Sequence, residues 1–337
     1  MSDTVVKQEH AFAQYVRILG KGKTGTRNLQ REEARDAFRM MLTGNAEPLQ
    51  IGAFLMLLRV KEESGEELAG FVDACRDVMG FVPRPQEVDL DWSSYAGKKN
   101  QQPWYLLSAL LLAANGIKVC IHGADGHTPG RVYTGPVLER LGIKAANSIQ
   151  QAQEHLRERN FAWLPLANFC PQLHEMMQYR HLLGLRSPVN TLARLLNPLG
   201  ANSSIQSVFH PAYARLHLEG DALLQQPASL VFKGEGGEVE IKPHATTDCQ
   251  MQRMGTDASF SWQRSLPQKP ESESLLGSAA LKQLWRDDDG QERYRYGRLA
   301  TVHTAAVALL LLDRASDQQQ ALQLATDWWQ QRERNRW

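Results

Sequence analysis

Apolar residues recur at a spacing near 3.6 through the first eighty positions; farther along, short continuous apolar runs alternate with helical ones. Phe12, Val16 and Leu19 mark a first helix that ends at Gly20. Three more follow, over 30–43, 48–61 and 65–79, with Glu32 and Glu33 favouring the start of one and Pro48 opening the next. Residues 81–85, FVPRP, carry two prolines in a span too short to continue a helix, and they set the first domain boundary. Beyond it the period changes. Residues 88–90 read as a short strand, 106–115 as a helix stopped by Gly116, and 117–122 as a buried strand. A helix over 137–141, a strand over 161–166 and a helix over 171–183 continue the alternation. Residues 207–217 read as helical, 229–232 as a strand running into the glycine loop 234–237, and 301–312 as the last strong apolar helix. The stretch 248–278 is polar and weakly patterned. The pattern predicts an α/β fold: a small N-terminal α-helical domain over 1–81, then an α/β domain over 82–337 with a central, mainly parallel sheet flanked by helices.

Composition narrows the possible roles without naming one. The 38 basic and 37 acidic side chains of the 337 leave a formal charge of +1, so any anion-binding role has to come from local clustering. Cys75, Cys120, Cys170 and Cys249 lie far apart with no C-x-x-C pair, and read as free thiols of a reducing compartment. The longest apolar runs, 106–114 and 305–312, are too short to span a bilayer. The first ten residues, MSDTVVKQEH, lack a basic stretch leading into an apolar core. Together these predict a cytoplasmic protein with no membrane partner.

Candidate chemistry concentrates in residues 180–198, RHLLGLRSPVNTLARLLNP. Ser187 and Pro188 suit a helix N-cap and first position, and Asn197 before Pro198 suits its end. A helix N-terminus exposes unpaired N–H groups, and Arg186 beside them makes this a candidate seat for a carboxylate or phosphate. A capped core helix with solvated arginines explains the same residues, and on these residues alone it is the simpler account.

The segment resembles the LGxRTxFNxLGPLxNP stretch of the anthranilate phosphoribosyltransferase family, glycosyl transferase family 3, relatives of the pyrimidine nucleoside phosphorylases. Residues 28–79 are similar to that family's N-terminal helical domain almost position for position, and the two blocks stand in the family's order. The resemblance implies that 171–185 packs back on the N-terminal helices. It also implies a homodimer through those helices, where Ile51, Phe54 and Leu58 share one face, although packing within the helical domain explains that stripe equally well.

The family's chemistry does not carry over whole. Its members bind a phosphorylated sugar diphosphate through a GTGGD-like loop and an Asn-x-Ser-Thr helix start, where glycines let backbone N–H groups approach phosphates. The corresponding stretch here, 91–104, keeps only Gly97 and offers Lys98 and Lys99 with Tyr95 and Trp104 nearby. Cation beside aromatic suits a single strand of nucleic acid, while an ordinary solvated loop is the bland alternative. At the family's Lys-His-Gly-Asn motif, His122 and Gly123 persist without the lysine and asparagine; His122 is as readily structural as functional, and Arg131 and His127 follow. The magnesium-binding Asp-Glu pair aligns with Val239 and Glu240; Glu238 offers a substitute carboxylate, but its one-residue displacement aims it differently, so the metal site reads as impaired or absent. Arg186 and Asn190 match the family's acceptor motif, whereas its Gly-Pro is Ala193-Arg194.

Two functions fit these departures. In the first, a former enzyme fold holds DNA or RNA, without strong sequence preference, through Lys21, Lys23, Lys98, Lys99, His122, Arg131, Arg180, Arg186, Asn190 and Arg194. No catalytic residue, metal or cofactor is then expected. This is similar to a divergent bacterial branch of the family whose members look like dimeric nucleic-acid binders, and the loop 20–23, GKGK, also resembles that branch. In the second, rebuilt loops serve a glycosyl- or phosphoribosyltransferase, or a phosphorylase, acting on an unidentified substrate.

Overall fold

The computed structural model describes residues 8–22, 24–271, 279–287 and 291–337. Four helices come first: α1 (Ala13–Gly20), α2 (Arg31–Leu42), α3 (Pro48–Lys61) and α4 (Gly65–Met79). Three start with reciprocal caps, Gln30 with Glu33, Glu47 with Gln50 and Ser64 with Glu67, which satisfy N–H groups a helix start leaves unpaired. Glu67 is fully buried and also accepts from Leu29 N (2.9 Å) and Lys61 Nζ (2.8 Å), tying the starts of α2 and α4 together. The two helices cross at Gly70, where a Cβ would lie 2.3 Å from the Arg31 carbonyl oxygen.

The rest alternates strand and helix: β1 (Leu90–Ser94), β2 (Lys98–Lys99), α5 (Tyr105–Ala114), β3 (Val119–Gly123), β4 (Arg131–Val132), α6 (Thr134–Arg140), α7 (Ile149–Arg159) and β5 (Phe161–Pro165). Then come α8 (Pro171–Gln178), α9 (Arg180–Leu183), α10 (Val189–Leu192), β6 (Ser203–Ser207), α11 (Tyr213–Leu223) and β7 (Ala228–Phe232). The chain closes with β8 (Thr247–Arg253), β9 (Thr256–Trp262), α12 (Ala280–Asp287), α13 (Arg295–Leu311) and α14 (Gln318–Gln331). Seven strands form one sheet in the order β5-β3-β1-β6-β7-β8-β9. The first five run parallel, and β8 and β9 add an antiparallel edge. β2 and β4 make a separate two-stranded ladder above the sheet's C-terminal ends. Among the described residues no helix is long and apolar enough to cross a membrane.

Strand alternation divides the core. Trp92, Ile121 and Trp163 face one cluster with α5, α13 and α14, while Cys120, Ala162 and Leu164 face the other with the N-terminal helices. Leu173, Met176 and Met177 of α8 share that second cluster with Phe12, Phe38 and Phe54. Ile51, Phe54 and Leu58 are buried in it too, so this stripe is the inner face of the helical bundle and not a surface for a second copy.

Helices α7 and α14 form where the pattern marked none, and two stretches of strand depart from it as well. Residues 203–207, SSIQS, form a central strand although polar, and the helix expected over 207–217 begins only at Tyr213. The weakly patterned stretch after Asp248 contributes the hairpin β8–β9, whose outer strand is mostly exposed; residues 272–278 lie outside the described residues.

Gly70→Ala should push α2 and α4 apart and cost about 1–3 kcal/mol of unfolding free energy in a urea titration. A change under about 0.5 kcal/mol, the size of an ordinary surface substitution, would mean the crossing is looser than described.

Candidate functional site

Ligands of open parallel sheets sit beyond the C-terminal strand ends, and here those ends are Ser94, Gly123, Ser207 and Phe232. The loop 95–97 after β1 turns at Gly97 (φ +66°), where a Cβ would also press on the Tyr133 ring at 2.9 Å. Its N–H groups at Ala96 and Gly97 donate to Glu238 Oε1 at 2.7 and 2.6 Å. Two residues on, Glu240 accepts from Tyr105 N (3.0 Å), at the N-terminus of α5, and from Lys98 Nζ (2.6 Å). A tight turn, closed by Glu240 N donating to the Glu238 carbonyl (2.8 Å), brings both carboxylates to the loop after β1 and the start of α5 while Val239 lies in the apolar cluster. Both glutamates are fully buried, and burial pushes their carboxyls above the ordinary range against the pull of these donors. The chain's own carboxylates therefore fill the seat a ligand phosphate would need.

This arrangement does not fit a magnesium-held diphosphate. Val239 brings no oxygen, and Glu240 is committed to Lys98 and to α5. Among the described residues no group of three or more His, Cys, Asp or Glu side chains is placed to hold a metal ion.

Several residues expected to reach a ligand are structural instead. Lys98 is 0% exposed, because the β2–β4 ladder turns it inward onto Glu240 while neighbouring Lys99 points out. Tyr95 and Trp104 are fully buried and offer no stacking face. His122 is sealed between Tyr95, whose hydroxyl lies 2.7 Å from Nδ1, and Asp91, whose Oδ1 lies 3.3 Å from Nε2. Lys21 is exposed at the end of α1, and Lys23 lies outside the described residues.

The arginines do converge. Arg131 donates to the carbonyls of Ala96 (3.0 Å), Gly97 (2.8 Å) and Gly236 (3.2 Å), gripping the loop from above. Arg180 donates to Thr128 Oγ1. Arg194, 9% exposed, donates to the Asn190 carbonyl and lies over the Tyr95 ring at 6.0 Å. Arg186 stands among them: burial, then the charges of Arg194, Arg131 and Arg180, pushes its guanidinium down to about 10. It stays protonated at neutral pH. Among the described residues none of these four guanidiniums makes an ion pair.

Beside them opens a cavity of about 430 Å³, lined by Arg59, Arg186, Asn190, Arg194, Tyr213 and His217, with Phe209 and His210 at the loop after β6. Phe209 is 50% exposed and packs edge-on against His210 at 5.0 Å. Nothing in the sequence marked Arg59, Phe209, His210, Tyr213 or His217: Arg59 reaches the cavity from α3, and the other four follow β6, which its polar composition hid.

The comparisons agree with this fold. Residues 13–79 match the helical bundle domain of the glycosyl transferase family, and 105–331 match its α/β domain. The chain belongs to this family, as one of its anthranilate phosphoribosyltransferase-like members. It is 32% identical over 206 residues to the Escherichia coli (strain K12) protein YbiB, covering 60% of this chain and 64% of that one. With the anthranilate phosphoribosyltransferase of Desulfosudis oleivorans it shares 31% over 226 residues, 66% of this chain and 65% of the enzyme. These two matches thus span just under two thirds of each relative. The anthranilate phosphoribosyltransferase of Thermus thermophilus superposes with a TM-score of 0.77 at 23% identity, over 95% of this chain and 94% of that one. That likeness establishes the shared fold.

Lys98→Ala should strand the Glu240 carboxylate in the core and cost about 3–5 kcal/mol in a denaturant titration. Lys99→Ala, one residue away but exposed, should stay within about 0.5 kcal/mol of the unmodified protein. Equal effects of the two would show that the ladder does not sort them.

Proposed function

We propose that this chain binds phosphate-bearing ligands, single-stranded nucleic acid foremost, along its arginine-lined cleft, and does not transfer phosphoribose. One observation carries the reading: four guanidiniums without ion pairs stand beside an anion seat already filled by Glu238 and Glu240. Partly buried cations without ion pairs call for an anion, and the filled seat leaves the phosphates of a strand the outer cations. The β2–β4 register sets Lys99 opposite Arg131, which extends the positive strip past the cleft mouth. Phe209 supplies the exposed aromatic face that Tyr95 and Trp104 do not.

A second reading is a glycosyl- or phosphoribosyltransferase, or a phosphorylase, for an unidentified substrate. Relatives named anthranilate phosphoribosyltransferase favour it, as does the presence of Arg186 and Asn190 in one cavity wall. One set of measurements separates the two. Labelled single-stranded oligonucleotides should bind at low salt with a log-affinity against log-salt slope that flattens by about 0.7 when Lys99 becomes alanine, one phosphate contact being lost. Arg186→Ala should weaken binding alike for every sequence. Incubation with phosphoribosyl diphosphate, magnesium and candidate acceptors should release no diphosphate. No binding at low salt, together with turnover of about one per second or more, would establish the transferase instead.

We also propose a homodimer, through the outward face of α3 in place of the inward stripe. Leu49 and Val60 are each 85% exposed and stand three turns apart on one line with Met56. Leu182 and Leu185, 72% and 54% exposed, continue the patch from the end of α9, which meets α3 where Leu183 nears Gly52. Light scattering should give twice the chain mass, and Val60→Glu should shift it to the monomer with the melting temperature of the remaining fold preserved. A monomeric unmodified protein would refute this pairing.

A further inference from the structure

The cavity beside Arg186 is lined by a histidine whose second ring nitrogen neither the fold nor the positive strip uses. His217, on α11, is 2% exposed, yet it lines the cavity. Its partners fix its tautomer. The Gln206 side-chain nitrogen donates to Asp221 Oδ2 (2.8 Å) and Ser204 Oγ (3.2 Å), which leaves Gln206 Oε1 as the acceptor facing His217 Nδ1 at 2.7 Å. Nδ1 therefore carries the proton, and Nε2 is a bare acceptor. Nε2 has no partner among the described residues. Burial, with Arg194 nearby, pushes the imidazole down to about 3, so it stays a neutral acceptor at physiological pH.

The walls add two further features. Arg186 and Arg194 supply donors for an anion, and Phe209 with His210 supplies aromatic faces at the loop after β6. At about 430 Å³ the space falls among small-ligand pockets, which run from about 300 to 1,000 Å³. A ligand satisfying all three features is planar, donates an N–H, and carries a negative group within reach of the ring. A nucleotide has this chemistry: an aromatic base with N–H donors and a phosphate.

We propose that this cavity takes a single nucleotide unit, its base stacked against Phe209 and donating an N–H to His217 Nε2, its phosphate on Arg186. The proposal rests on the reading of the cleft as a phosphate-binding surface and adds a base-recognising pocket to it. The unit is either a free nucleotide or one residue of a bound strand; the chemistry is the same, and competition tells them apart.

The test compares ligands that differ only in the base. Calorimetric titration at low salt should show at least one of the four nucleoside 5′-monophosphates binding about tenfold tighter than ribose 5-phosphate, the effect of one buried hydrogen bond and one stacked ring. His217→Phe should abolish that preference and leave ribose 5-phosphate affinity within about twofold, since the phosphate contact is separate. Should His217→Phe fail to fold, as judged by its thermal melt, Phe209→Ala tests the same preference from the exposed side. Arg186→Ala should weaken both ligands. Equal affinity for the nucleotides and ribose 5-phosphate, no nucleotide binding, or a preference that survives Phe209→Ala would each overturn the proposal.

Adding a labelled oligonucleotide identifies the source. Displacement of the strand by a tight mononucleotide places a strand residue in the pocket; binding of both together makes the free nucleotide the ligand. Oligonucleotide binding without any base preference sinks the pocket and spares the positive strip. Mononucleotide binding without oligonucleotide binding does the reverse.

Discussion

Two buried carboxylates set the character of this protein. Backbone N–H groups at the C-terminal ends of parallel strands and at helix starts need a negative partner, and Glu238 and Glu240 provide it from within the chain. Desolvating them is expensive, as their raised carboxyls indicate, and the expense is met by the hydrogen bonds of Ala96, Gly97 and Tyr105 and by Lys98. The tight turn over Val239 makes this possible, because it brings both carboxylates to the loops and leaves Val239 in the core. Lys98 is thereby drawn inward while Lys99 stays at the surface. The loop after β1 becomes a rigid wall of the cleft, with Arg131 holding it from the far side.

Filling that seat changes what the arginines can do. The chain is close to neutral overall, so its positive cleft is a matter of placement: Arg131, Arg180, Arg186 and Arg194 gather where the carboxylates are already occupied elsewhere. At Arg186 burial, and after it the repulsion of three like charges, weakens the hold of the guanidinium on its proton. An external anion relieves that repulsion. The same charges in water would be screened within about 8 Å at physiological salt, whereas partly buried ones keep much of their pull.

Most of the fold was legible because local signals agreed with packing. The helices α2 to α4 carry apolar spacing and capping residues that point the same way, so their limits fall close to those read from the pattern. β6 was not legible. Its serines and glutamine read as loop or helix start, and only the finished sheet shows that they are buried and paired with Asp91, Asp221 and His217. The hairpin β8–β9 was missed for the opposite reason: an exposed edge strand needs no apolar period. At the site, adjacent lysines looked alike in sequence, and a two-residue ladder separated them into a core ion pair and a surface charge. Arg131, Arg180, Arg186 and Arg194 were all among the residues singled out from sequence, whereas Arg59, which arrives from α3 across the cleft, was not.

The polar strand also explains how the pocket is organised. A central strand of serine and glutamine costs stability unless every group is paired, and β6 meets that demand by binding Asp91 on one side and the α11 residues Asp221 and His217 on the other. Asp221 is pushed up to about 7 by the burial this requires. Such a network fixes orientations that an apolar strand would leave free. The direction of the Gln206 amide determines which nitrogen of His217 is protonated, and that choice turns the other nitrogen into an acceptor facing the cavity. The recognition chemistry of the site thus originates in the strand that the sequence concealed, not in the loops where the family keeps its phosphate motifs.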